Sequence, residues 1–580
     1  MKTILSRVKF NKKQMAVMIV FAIIAVLGQM IAPALVSKML DGISDNKKNT
    51  IIILAVVMIA LSVLACVTNI VSTNMAAKLS TRFAADLRKE VFYKVQEFSA
   101  VEVDKFSSAS LITRNTADVS MIQGFLVLLF RIGLLTPLMG VMGVIFAIAS
   151  SGSLAVVLAI ATPILILFVT ALLITASRYS VKLRSKIDAI NKRFLETLEG
   201  VRVIRAFNKQ STELKRFDEI NDETTEVSRK SIAISGMMTP VVNTLFGITT
   251  VGAMLVGTYQ TMNGSLEVSV LVSATQYINI ILIAITLFAS VISMFPDAYA
   301  CMDRISAVLE TEASIRDPEK EMPAKTCSGT VEFRNVTFSY PGADAPVFKD
   351  LSFVSKPGET TAIIGRTGSG KSSIVKLIPR LYDTSYGEVL VDGVNVKRYR
   401  LDELRDIIGY VPQKNVLFTG DIGENLNFGN ENGNEADWKE AARIACADEF
   451  VEKKEGTYHS PVSQGGTNFS GGQRQRLAIA RAVMKKPEVY IFDDSFSALD
   501  MKTDKQLRQN LKESMGDATM IVVAQRVNTI MDATRIIVLE NGEAVGMGTH
   551  LELLKSCQLY REIAEIQLGK EEVDRELEGV

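Results

Sequence analysis

The chain is poor in the side chains that most often hold metals or move protons. Its 580 residues include two histidines, His459 and His550, and five cysteines. The cysteines, at 66, 301, 327, 446 and 557, form no metal-ligand spacing and no dense disulfide framework, so unpaired thiols in a reducing compartment are expected. An excess of charge of either sign is also missing: 64 basic residues face 63 acidic ones, which gives no reason to expect the electrostatic footprint of a nucleic-acid binder. No cleavable signal peptide is evident, because the apolar run after MKTILSRVKFNKKQ is as long as a membrane span and lacks an A-x-A-type site. So short a leader leaves no room for an N-terminal protease domain.

Apolar residues, by contrast, are abundant. They make up 48% of the chain, and mean hydropathy is +0.23. The length calls for at least two domains. A hydrocarbon core of about 30 Å needs roughly 20 apolar residues in a helix. Six stretches of the first half meet that length, near 15–37, 50–72, 122–148, 154–177, 237–261 and 268–295. The segment 178–231 carries thirteen Lys and Arg, whereas the connectors 150–153 and 263–267 carry none. Positive residues stay inside, so both termini and 178–231 are expected in the cytoplasm. The loop 37–50, with Lys38, Lys47 and Lys48, weakens that asymmetry. The long inner connections, 73–121 and 178–236, show three- and four-residue apolar spacing and are expected to continue as helices. Gln29, Arg131, Asn243, Gln276 and Asn279 lie in or near the spans, either as helix–helix glue or as part of a substrate pathway.

A polar segment with two prolines, 317–330, reads as a linker. Beyond it, VEFRNVTFSY and APVFKDLSFVSKPGETTAIIG read as strands running into GRTGSGKSS, with a helix expected in SIVKLIPRLY. Strand, Gly-rich loop and helix are the context that G-x-x-x-x-G-K-[ST] requires. Gly365, Gly368 and Gly370 allow the tight turn in which backbone N–H groups, with those of Arg366, Thr367, Ser369 and Ser373, converge on phosphate oxygens. Lys371 supplies a point charge, and the Ser372 hydroxyl can ligate Mg²⁺. The apolar strand 489–492 ends in Asp493, a second Mg²⁺ ligand.

A phosphate loop, Gln413 in YVPQ, Ser470-Gly471-Gly472-Gln473, an acidic strand end and SALD, in that order after six spans, resemble an ATP-binding cassette (ABC) exporter half-transporter of the bacterial multidrug type. The resemblance implies a six-helix all-α membrane domain of the type IV exporter fold, followed by an α/β P-loop nucleotide-binding domain. Domain limits of 1–316, 317–330, 331–568 and a charged tail 569–580 follow from it. ATP and Mg²⁺ are the implied cofactors. The resemblance assigns adenine stacking to Tyr340 and a contact with Mg²⁺ and the attacking water to Gln413. It gives 470–473 a contact with ATP held by an opposing subunit, hence a dimer. Segments 108–120 and 200–210 resemble the family's cytoplasmic coupling segments.

Two positions depart from the family pattern. Asp494 stands where the family has a catalytic Glu, its carboxylate set back by roughly 1 Å, and a misplacement of that order can cost about a hundredfold in rate. Gln525 stands where the family has a histidine, and an amide cannot act as a general acid or base. Together they imply a site that binds ATP but hydrolyses it poorly, within a heterodimer whose other half-transporter keeps the Glu and His. A slow homodimer and an ATP-gated regulatory membrane module are the alternatives. The spans suit hydrophobic or amphipathic cargo, and equally lipids, haem-like molecules or apolar peptides.

Overall fold

The computed structural model describes residues 11–150, 152–318 and 328–578. The extreme N-terminus, most of the expected linker with Cys327, and the last two residues lie outside them. The chain forms two compact units, one of 1–96 with 107–311, the other of 97–106 with 312–580.

In the first unit six helices, among the described residues, are long and apolar enough to cross a membrane. They include Lys12–Ser44, Lys48–Gln96, Gly152–Glu199 and Val268–Glu310, and each contains one expected span. Large apolar side chains such as Ile59, Leu167 and Leu255 are more than 60% exposed, as a lipid-facing surface requires. Small buried residues let the helices approach: a Cβ on Gly143 would lie 2.7 Å from Ile281. The buried Tyr277 hydroxyl donates to the Met30 carbonyl at 3.0 Å. Of the polar residues singled out, Asn243 and Asn279 line a cavity of about 240 Å³ with Phe246, Leu282 and Thr286. Gln29 and Arg131 are exposed, and Gln276 is half-buried.

The inner connections are helical, but less continuously than their spacing implied. The second breaks at Gly200 and again at Phe207–Lys209, where Asn208 takes a positive φ of 51°. The first ends at Gln96, and the short helix Ala100–Phe106 that follows belongs to the second unit. The two segments likened to coupling segments, 108–120 and 200–210, both belong to the first unit. In 108–120 a π-turn, Arg114–Asp118, aims the buried Asp118 at Arg304, which donates from Nε (2.8 Å) and Nη2 (2.5 Å).

The second unit is built on a six-stranded sheet. Arg535–Glu540, Thr360–Gly365, Thr519–Val523, Val489–Asp493 and Ile408–Val411 run parallel in that order, with Glu543–Gly548 antiparallel at one edge. Val489–Asp493 and Thr519–Val523 are buried throughout, which is why they read as continuous apolar runs. Register sets Ile363, Val523 and Asp493 in one row, so the segments following these strands meet at their carboxyl ends, where α/β sheets place ligands. A smaller antiparallel sheet orders Phe348–Ser355, Val331–Phe338, Tyr386–Val391 and Val394–Asn395, and Phe333 stacks on Phe353 at 4.5 Å between centroids. The helix after the phosphate loop spans only Lys371–Leu377; Pro379 has no N–H to extend it, and Arg380 turns left-handed at φ 51°. The expected charged tail holds a helix, Lys570–Glu578, with Val573 buried.

Candidate functional site

The loop Gly365–Gly370 joins strand Thr360–Gly365 to helix Lys371–Leu377. Gly368 and Gly370 have φ of 85° and 95°, a region that side chains with a Cβ avoid. At Gly365 a Cβ would meet the Leu539 carbonyl at 2.3 Å, so the loop leaves its strand only because this residue has none. Lys371 is buried, and its Nζ donates to the carbonyls of Gly365 and Arg366, both at 2.8 Å. Burial holds its ammonium below the usual lysine range, partly offset by Asp494 and Asp493. The Ser369 hydroxyl oxygen is buried, with no hydrogen-bond partner among the described residues.

Ser372 Oγ donates to Asp493 Oδ1 at 2.6 Å, so the two expected Mg²⁺ ligands already meet across the sheet. Asp493 is 1% exposed, and burial raises its pKa despite donors from Ser372 and Tyr410. Tyr410, which the sequence reading missed, lies 3.4 Å from Asp493 Oδ2 through its hydroxyl. It opens the YVPQ stretch that carries Gln413, but its place beside Asp493 follows from the pairing of Ile408–Val411 with Val489–Asp493.

Asp494 follows in the left-handed region at φ 53°. Its Oδ2 accepts two amide donors, Gln413 Nε2 at 3.2 Å and Gln525 Nε2 at 2.9 Å. Burial is the main cause of its raised pKa, which the Gln413 bond opposes and the neighbouring Asp493 charge reinforces. The residues from three distant motifs thus converge on one carboxylate oxygen. A carboxylate oxygen has about two acceptor sites, and here both are taken by side-chain amides.

Tyr340 sits beside the loop, with its hydroxyl 2.9 Å from Ser373 Oγ and its ring edge-on to Phe338 and Tyr382. Ser470 caps helix Gly471–Lys485 in a capping box: its Oγ accepts from Gln473 N–H at 3.2 Å, and Gln473 Oε1 accepts from Ser470 N–H at 2.9 Å. Among the described residues the side-chain hydrogen bonds of 470–473 stay within this cap, and a Cβ on Gly472 would face the Ala498 carbonyl. Gln475, also missed, ties this helix to the segment after Asp494. It accepts from Ala498 N–H at 3.1 Å and donates to the Asp494 carbonyl at 3.4 Å.

A nucleotide phosphate chain with Mg²⁺ fits this donor set. The unpartnered Ser369 hydroxyl, the loop a Cβ would block at Gly365, and the Ser372–Asp493 oxygen pair are its natural ligands.

Comparisons with known proteins agree. Residues 15–285 match the model of the ABC transporter transmembrane region, and 348–497 match that of the ABC transporter domain. The chain is 37% identical over 565 residues to an uncharacterized ABC transporter ATP-binding protein of Mycobacterium tuberculosis, covering 96% of both chains. It is 28% identical to an ATP-dependent lipid A-core flippase of Photobacterium profundum, covering 97% of each. Its fold matches a bacterial Atm1-family ABC exporter with ATP bound at a TM-score of 0.79 and 23% identity, covering 95% of this chain and 96% of that one. Six spans, an ATP site that uses Mg²⁺ and these full-length likenesses place the chain in the ABC transporter family, as a multi-pass half-transporter whose ATPase domain couples hydrolysis to transport.

Proposed function

We propose that this chain is the weak-site subunit of a heterodimeric ABC exporter that moves hydrophobic or amphipathic compounds out across the cytoplasmic membrane, with both termini inside. The observation that carries the reading is the double amide bond to Asp494 Oδ2. A carboxylate that must polarise the attacking water needs a free acceptor site facing it. Here Gln413 and Gln525 occupy Oδ2, which leaves Oδ1 alone to accept from a water, and Gln525 cannot relay a proton. Lys371, the 365–370 backbone, Ser372 and Asp493 are left to bind. Mg²⁺, when held by Ser372 and Asp493, would supply charge neutralisation to the phosphates. In this reading Tyr340 stacks on adenine, and Ser470–Gln473 complete the site of the partner half-transporter, which keeps its Glu and His. ATP binding draws the two nucleotide domains together and tips the membrane halves outward; hydrolysis at the partner's site resets them.

The test is purification from native membranes. A second half-transporter should co-purify, and replacing its Glu by Gln should abolish most ATPase activity, whereas Asp494→Asn should remove little. A homodimer that transports at full rate would overturn the heterodimer. The full-length likeness to a lipid A-core flippase favours a second reading of the cargo, a lipid-like amphiphile. Uptake into inverted vesicles, with fluorescent lipid and cationic dye compared, separates the two.

A further inference from the structure

The loop that carries Gln525 is held from behind by a residue outside every motif. Gln567, near the end of helix Gln558–Leu568, donates from Nε2 to the Gln525 carbonyl at 2.9 Å and accepts at Oε1 from the Val527 N–H at 2.8 Å. One amide thereby occupies the backbone on both sides of Arg526, much as a neighbouring strand would. Only a side chain with both a donor and an acceptor of this reach can do so. The loop needs such support, because it lies between strand Thr519–Val523 and the 3₁₀ turn Val527–Thr529 with no ladder of its own. It is also anchored by Ala524 N–H to the Ile363 carbonyl, by the Arg526 guanidinium to the carbonyls of Ser497 and Leu499, and by the Gln525 amide on Asp494.

The platform under Gln567 is itself fixed. Leu559, Tyr560 and Ala564 are buried. The Tyr560 hydroxyl lies 2.7 Å from His550 Nδ1, and His550 Nε2 lies 2.8 Å from Glu576 Oε2. Helix Gln558–Leu568 is therefore pinned to the flanking helices His550–Ser556 and Lys570–Glu578.

We infer that Gln567 is a positioning residue for the side chain at 525: by bonding the main chain of that residue it sets the direction in which its side chain reaches residue 494 and so governs turnover at this site. The inference rests on the reading that Gln525 and Asp494 face the reacting phosphate. Removing the clamp leaves the ATP-binding residues untouched and frees the loop, so it acts on turnover rather than on affinity.

The experiment uses the full-length chain, purified with any half-transporter that accompanies it, in an Asp494→Glu, Gln525→His background where turnover at this site is measurable. In that background Gln567→Leu should lower kcat about tenfold, the scale of a misdirected catalytic group. KM for ATP should stay within about twofold, since uniform binding is unchanged. Gln567→Glu keeps the acceptor for Val527 and loses the donor to residue 525, so it should fall between, and it stands in if the leucine variant does not fold. Replacing residue 525 by Ala should lower kcat equally, with no further loss on adding Gln567→Leu. If the Ala change lowers kcat and neither Gln567 variant does, the positioning role is overturned while the site reading stands. If the Ala change leaves kcat untouched, the site reading fails, and with it any role of Gln567 exerted through that residue.

Discussion

Asp494 and Gln525 carry the functional reading at the scale of single residues. Asp494→Glu lengthens the carboxylate by one methylene but must hold φ near 53°, which Asp tolerates better than Glu. The single change should therefore raise ATPase at this site only two- to threefold, on the order of the small loss in barrier that one better-placed group gives when its partner is unchanged. Adding Gln525→His should raise it by at least another factor of about ten, measured as phosphate release with the partner's site silenced. Asp493 allows a test on stability. Its pKa is raised by burial, so the ionised form is disfavoured in the folded, nucleotide-free unit. That cost is absent below the ordinary aspartate value near about 4, and is complete once pH passes the raised folded value. Asp493→Asn should then raise the Tm of the nucleotide-free protein in chelator at pH 7 by a few degrees, the range that about 1 kcal/mol produces. The gain should vanish near pH 4, and the Mg²⁺-dependent stabilisation by ATP should be lost. The residues that converge on Asp494 were legible because each sits in a motif with a fixed spacing. The contacts of Tyr410, Gln475 and Gln567 were not, because strand register and helix packing, rather than local spacing, bring them to the site, even for Tyr410 inside the YVPQ stretch.

At the scale of elements, strands and spans were legible from long apolar runs, since burial on both faces or lipid on every side leaves a strong pattern. Helix interruptions were not. The break near Gly200 depends on a glycine and on Asn208 adopting a left-handed turn, and three-residue periodicity runs across both without a gap. The element that most departs from expectation is Ala100–Phe106. Glu102 within it is buried and accepts from Ser99 N–H at 2.9 Å and Ser314 N–H at 3.2 Å. Burial pushes this carboxyl up, but the donors of Ser99 and Ser314 outweigh it and hold it below the usual glutamate range. Glu102→Ala leaves both N–H groups without their acceptor, at a cost of about 1–3 kcal/mol. Transport should fall more than ATPase activity does, as a comparison of vesicle uptake with phosphate release would register. Equal losses in both would remove the helix from any coupling role.

The two-part organisation, the six spans and the cofactors of the whole molecule were legible, and the division of the chain between its units was not. Contact between segments two hundred residues apart decides that division, and composition carries no trace of it. Orientation has its own test in a cysteine-free background. Ser265→Cys, in the connector without Lys or Arg, should react with an impermeant maleimide in intact cells, and Lys209→Cys only after permeabilisation.

The helix Ala100–Phe106 also bears on how the nucleotide unit can be handled apart from the membrane. Asp104 accepts from the Tyr382 hydroxyl at 3.1 Å, and Ala100 and Val101 pack against the core of the smaller sheet. A soluble fragment starting at 328 would lack this decapeptide and expose the apolar surface it covers. It should unfold at a lower temperature than the same unit in the intact chain, and a synthetic 97–106 peptide added in trans should restore part of the difference, saturably and only while Asp104 is present.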